Sequence, residues 1–159
     1  RYREQLAFLR ENNIVGPDDM TTFTARTEET LANLMKQRTV LNVRRKRRRA
    51  LYTALADAEA LAPVKELYEA GLSGMETEFA QYMDAVAALE QCGVPREGLI
   101  QEKAELYDRL AELNRQIRAE RRKLALCRKT QNSLTQMEQE IDKAEARESE
   151  VRTNEHRRR

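Results

Sequence analysis

Apolar residues recur at three-four spacing along most of the chain, which is the period of helices and not of strands. Tyr2, Leu6 and Leu9 fall on one face of a short opening helix. Asn12-Asn13 supplies its stop, and Ile14 to Pro17 reads as a turn. Pro17-Asp18-Asp19 suits a helix start, because proline tolerates the first turn and carboxylates favour its positive end. A long helix follows to about Ala62 with the stripe Leu31, Leu34, Arg38, Leu41, Arg45, Arg48, Tyr52 and Leu55. Three arginines stand there where a simple coiled coil places apolar residues. Pro63 ends or kinks that helix, and a short helix from Val64 to Ala70 is closed by Gly71-Leu72-Ser73-Gly74. Met75, Phe79, Met83, Val86 and Leu89 then repeat on one face up to Cys92, and Gly93-Val94-Pro95 is a stop and restart. The last helix carries a seam at Leu99, Leu106, Leu110, Leu113, Ile117, Leu124, Cys127, Leu134 and Ile141, interrupted at Glu120 and Gln131.

Stripes this narrow do not stabilise an isolated helix, so each long helix needs a partner, and the simplest is the other. The expected fold class is all-α: an elongated, coiled-coil-like antiparallel hairpin of two long helices with a small helical knob at the turn. The expected segments are 1–17 (short helix and turn), 18–62 (first long helix), 63–95 (acidic knob), 96–152 (second long helix) and 153–159 (a frayed basic tail). At 1.5 Å per residue the second long helix would extend on the order of 80 Å.

Composition narrows the function more than the fold. Five Gly and three Pro in 159 residues are too few for a many-stranded protein, and 35% charged residues match long helices. No secretory signal or apolar run of spanning length is present, which predicts a soluble cytoplasmic protein without a membrane partner. The chain begins at Arg1 and not Met, and reads as a piece of a longer polypeptide. Cys92 and Cys127 stand apart, with no CxxC, and the only histidine is His156, so neither a metal site nor a cofactor is expected. Tyr2, Tyr52, Tyr68, Tyr82 and Tyr107 lie at or beside apolar helical positions and read as packing residues, not nucleophiles. No catalytic residue is assigned.

The net charge of +2 hides opposed blocks. Residues 30–49 carry eight cations and no carboxylate, residues 50–91 carry eight carboxylates against Lys65, and residues 109–129 carry eight cations against Glu112 and Glu120. For a hairpin turning between Ala62 and about Glu97, equal helical rise places residue 46 near 113 and residue 36 near 123. The two basic stretches would then form one band, repelling itself unless a polyanion or acidic partner neutralises it. The candidate nucleic-acid-binding residues are Arg44, Arg45, Lys46, Arg47, Arg48, Arg49, Arg115, Arg118, Arg121, Arg122 and Lys123. Charge runs on coiled coils are usually solvated faces, but six consecutive cations cover every side of a helix, including the seam. With no Trp and only Tyr52 near the run, base stacking is not supported. Contact with DNA would be through phosphates, weakly selective and steeply salt-sensitive. The opening helix and turn also suit a helix-turn-helix, but an ordinary helical hairpin explains them.

The order of pieces resembles the C-terminal helical region of relaxases, the mobilisation nucleases of plasmids and conjugative transposons, especially from Gram-positive gut bacteria. The resemblance runs from about Tyr2 to Ile141. It is carried by Tyr2-Arg-Glu-Gln-Leu-Ala-Phe-Leu-Arg-Glu-Asn-Asn-Ile14, by Leu67-Tyr-Glu-Ala-Gly71, and by Gly93-Val-Pro95 ahead of Glu102-Lys-Ala-Glu-Leu-Tyr107. It implies a parent protein that nicks one DNA strand with an upstream nuclease domain, for conjugative transfer. The present chain would be a non-catalytic module that contacts DNA or docks relaxosome and coupling proteins. The competing expectation is a structural or oligomerising coiled coil, monomer or dimer, with no nucleic-acid role. Protein docking through the acidic knob, Asp57 to Glu90, is a third.

Overall fold

The computed structural model describes residues 2–158, and all regular structure among them is helical. The helices are α1 (Arg3–Glu11), α2 (Pro17–Ala60), α3 (Ala62–Glu69), α4 (Glu76–Gln91) and α5 (Arg96–Arg157). The protein is all-α. Two compact units share the long helices: Arg1–Asn33 with Ile117–Arg159, and Leu34–Gln116. Among the described residues, no helix is long and apolar enough to cross a membrane.

In the Leu34–Gln116 unit, α2 and α5 run antiparallel, as the contacts of Arg38 with Asn114 and of Arg48 with Glu102 require. Tyr52 packs against Leu106 and Leu110 with Leu41 at the margin. A second cluster joins three helices: Ala54, Leu55 and Ala58 of α2, Ala85 and Leu89 of α4, and Leu99 of α5. Small residues at positions 54, 58 and 85 let the helices approach closely there, and Leu99 is fully buried among them. Pro63 lies in the first turn of α3 and supplies no N–H, so the chain breaks after Ala60 and restarts at once. Tyr68 stacks on Phe79 at 4.0 Å between ring centroids, and Lys65 stands 6.0 Å over the Tyr82 ring, so α3 and α4 form an antiparallel pair. Gly71 and Gly74, at φ +91° and +87°, make the turn between them in a region that side chains with a Cβ rarely enter.

Two sequence expectations change in this unit. The buried face of α4 is Tyr82, Ala85 and Leu89, whereas Met83 is 47% exposed. Of the expected face Leu89 is buried and Met75, Phe79 and Val86 are half-buried, but the helix is turned toward Ala85, because the partner surface is Ala54 and Ala58, against which a small residue fits. The register also differs. Residue 48 meets 102, residue 38 meets 114 and Gln37 meets Arg109. The expected pairing of residue 46 with 113 is not formed. Equal-rise pairing assumed a turn centred midway between Ala62 and Glu97. Instead α4 folds back onto the end of α2, and α5 begins beside Ala54 and Leu55, where Leu99 joins their cluster.

In the Arg1–Asn33 and Ile117–Arg159 unit, Phe8, Met20 and Cys127 form the core, with Leu9, Ile14, Phe23 and Leu126 around it. Phe8 and Phe23 meet edge to face at 5.4 Å. α1 ends as its asparagines suggest: the Ile14 N–H donates to the Leu9 carbonyl at 2.9 Å, and Asn13 takes a left-handed φ of 54°. The Val15 N–H donates to the Asp19 carboxylate at 2.9 Å, tying the turn to the start of α2. The α5 seam is buried at Ile117, Leu124, Cys127 and Thr130, after which Leu134 and Ile141 are exposed. α5 stays helical to Arg157, where a frayed tail from residue 153 was expected.

Candidate nucleic-acid interface

The basic run occupies a continuous stretch of α2, so its six side chains point in all directions around the helix. Two of them turn toward α5. The Arg48 Nε donates to Glu102 Oε1 at 3.0 Å, and Arg44 Nη2 lies 3.5 Å from the same oxygen. This is how an arginine is tolerated in the seam: a carboxylate on the facing helix receives its charge while its stem packs. Arg38, higher on the same stripe, is accommodated by a neutral acceptor, Asn114 Oδ1 at 3.2 Å. Arg45, expected in the stripe, is exposed.

Arg45, Lys46, Arg47 and Arg49 are exposed, and among the described residues no carboxylate lies within ion-pair distance of them. Arg45, Lys46 and Arg49 line one side of a groove of about 720 Å³, whose far side carries Lys103 and Tyr107 and whose lining includes Tyr52. No Asp or Glu lines it. Lys103 Nζ stands 5.8 Å from the Tyr52 ring centroid and 5.9 Å from that of Tyr107. The opposite flank of the run differs: Lys46, Arg47 and Arg49 there share a shallow depression with Asp57 and Asp84.

The second basic block divides. Arg115 belongs to the same unit as the run and pairs with Glu112 on its own helix. Arg118, Arg121 and Arg122 are exposed in the other unit, as is Lys123, whose Nζ is 3.0 Å from Glu120. The residues that the fold brings to the run are therefore Glu102, Lys103 and Tyr107, none of which the sequence reading nominated. Lys103 and Tyr107 are four apart and share a helix face. That spacing was visible in the sequence, but their neighbourhood with Arg45 depends on the register. The α3–α4 carboxylates Glu66, Glu69, Glu76, Glu78, Asp84 and Glu90 are exposed.

Tyr52 is buried, and its hydroxyl has no hydrogen-bond partner among the described residues. Burial pushes its phenol above the ordinary 10.0, Glu102 adds to the rise, and Arg48 and Arg44 oppose it. A folded-state value above the unfolded one means that the contribution of Tyr52 to stability is complete below about pH 10 and is lost as pH rises through the folded value. Denaturant midpoints compared at about pH 8 and pH 11 should therefore fall less in Tyr52→Phe than in the parent.

Glu102 gives a second test. Glu102→Gln leaves Arg44 and Arg48 without their carboxylate. The expected cost is about 1 kcal/mol of stability, because Arg44 is largely solvated and the pair is screened. Polyanion affinity should rise a few fold, and unchanged affinity in a filter-binding assay would mean that these arginines do not face the polyanion.

No group of three His, Cys, Asp or Glu able to hold a metal ion occurs among the described residues. Cys127 is buried, and Cys92 Sγ donates to the Leu89 carbonyl at 3.0 Å. No family model, curated protein or solved structure matches the chain.

Proposed function

We propose that this chain is a non-catalytic helical module that contacts DNA through its phosphates. The setting suggested by the sequence resemblance is a relaxase-type mobilisation protein, whose nuclease chemistry lies elsewhere in the parent. One observation carries the reading: Arg45, Lys46, Arg47 and Arg49 project from little more than one turn of α2 with no carboxylate in ion-pair reach among the described residues. A solvated face needs no such concentration, whereas a row of phosphates lowers its self-repulsion and releases counterions. The flank toward Asp57 and Asp84 is partly neutralised, so the side toward Lys103 is the favoured one. The test is a titration with duplex and single-stranded DNA at two salt concentrations. Binding that is absent at low salt, or insensitive to glutamine at these four positions, would sink the proposal.

A second reading is supported by the end of α5. Leu134, Met137, Ile141 and Val151 are exposed at three-four and longer helical spacing. This favours a coiled coil with a second chain. Light scattering on Leu134→Glu/Ile141→Glu against the parent checks it: a dimer that dissociates supports this reading, and a monomer in both excludes it.

A further inference from the structure

We propose that the groove between the basic run and α5 is a seat for one phosphate group, held by Arg45, Lys46 and Arg49 from one side and Lys103 from the other. The inference rests on reading the run as phosphate-binding, but it adds a position and residues that lie outside the run. Four cations line one concave surface of about 720 Å³ with no carboxylate among them. Such convergence is unfavourable unless an anion occupies it, and a tetrahedral dianion offers enough acceptor oxygens to engage all four. Arg45 and Arg49 are one turn apart and present planar donor forks, which match phosphate better than a point charge does. Lys103 has no carboxylate within ion-pair distance among the described residues, and it rests over the rings of Tyr52 and Tyr107. Tyr52 also lines the groove, and its hydroxyl is a buried donor without a partner among the described residues. A phosphate oxygen is the acceptor that this hydroxyl lacks once the flexible Lys103 side chain turns from the rings to the anion.

The experiment is calorimetric titration of the whole chain with inorganic phosphate, with acetate at matched ionic strength as the comparison. It is repeated on Lys103→Gln, Tyr52→Phe and the control Arg147→Gln/Arg152→Gln, two exposed arginines far along α5, with circular dichroism to establish that each is folded. Phosphate should bind where acetate does not. Lys103→Gln should weaken it about tenfold, as loss of a charge-assisted hydrogen bond does, Tyr52→Phe severalfold, and the control not at all. Phosphate heats no larger than those of acetate, or wild-type phosphate affinity in both Lys103→Gln and Tyr52→Phe, would overturn the seat. A duplex oligonucleotide titrated into the same variants separates this from the broader reading. If phosphate binds but the duplex does not, the seat stands as a site for free phosphate and the DNA reading falls. If the duplex binds equally well to Lys103→Gln and the parent, the DNA reading stands and the seat is overturned.

Discussion

Replacing Arg45, Lys46, Arg47 and Arg49 together with glutamine is expected to remove most of the salt dependence of duplex binding. Each phosphate neutralised by a cation contributes a slope of about −0.9 in log K against log salt, so four contacts contribute about −3.6. Between about 50 and 200 mM salt, the parent should therefore weaken on the order of a hundredfold through these side chains alone, and the quadruple variant should be nearly flat by comparison. The four side chains are exposed and none has an ion-pair partner among the described residues, so the fold should tolerate the change within about 0.5 kcal/mol per site. Fluorescence anisotropy with a labelled duplex reads the slope directly. A quadruple variant with the parent's slope would show that the phosphate contacts lie elsewhere, and Arg118, Arg121 and Arg122 would be the next candidates.

The largest stability effect should come from Leu99→Ala. Leu99 is fully buried where Ala54, Leu55 and Ala58 of α2 meet Ala85 and Leu89 of α4. Truncation there loses the transfer energy of the side chain and leaves a cavity bounded by three helices, which small neighbouring residues cannot fill. The expected loss is about 2–5 kcal/mol. Its neighbour Ile100 is 54% exposed, and Ile100→Ala should stay within about 0.5 kcal/mol. Urea denaturation of the pair tests the packing and the register together. Equal destabilisation of the two variants would mean that α5 begins with a different face against α2.

The seam of α5 from Leu99 to Cys127 was legible because buried leucines at heptad spacing admit one face only, and each of those nine-tenths buried positions had already been named from spacing. The same logic held only in part in α4, where Leu89 is buried as expected but Ala85, and not Met83, faces inward. Hydrophobic size indicates which residues gain most from burial in general, whereas the available space is set by the alanines opposite. It failed again beyond Cys127: Leu134 and Ile141 continue the pattern but are exposed. Arg38 and Arg48 were correctly placed in the α2 stripe, and their tolerance there has a reason only in three dimensions, where Asn114 and Glu102 receive them.

Periodicity, helix stops and charge, all local, determined by themselves that this chain is all-α, where its helices break, and that α2 carries six consecutive cations. Those properties depend on neighbours within a few turns, which a sequence displays in order. The tertiary structure alone decided what faces the cations. α4 folds back onto α2, so α5 starts beside Ala54, and Glu102, Lys103 and Tyr107 meet the basic run where the second basic stretch, from about residue 113 on, had been expected. Helical register is set by how the connecting segment packs, and a shift of a few turns changes every cross-helix partner without altering any local signal.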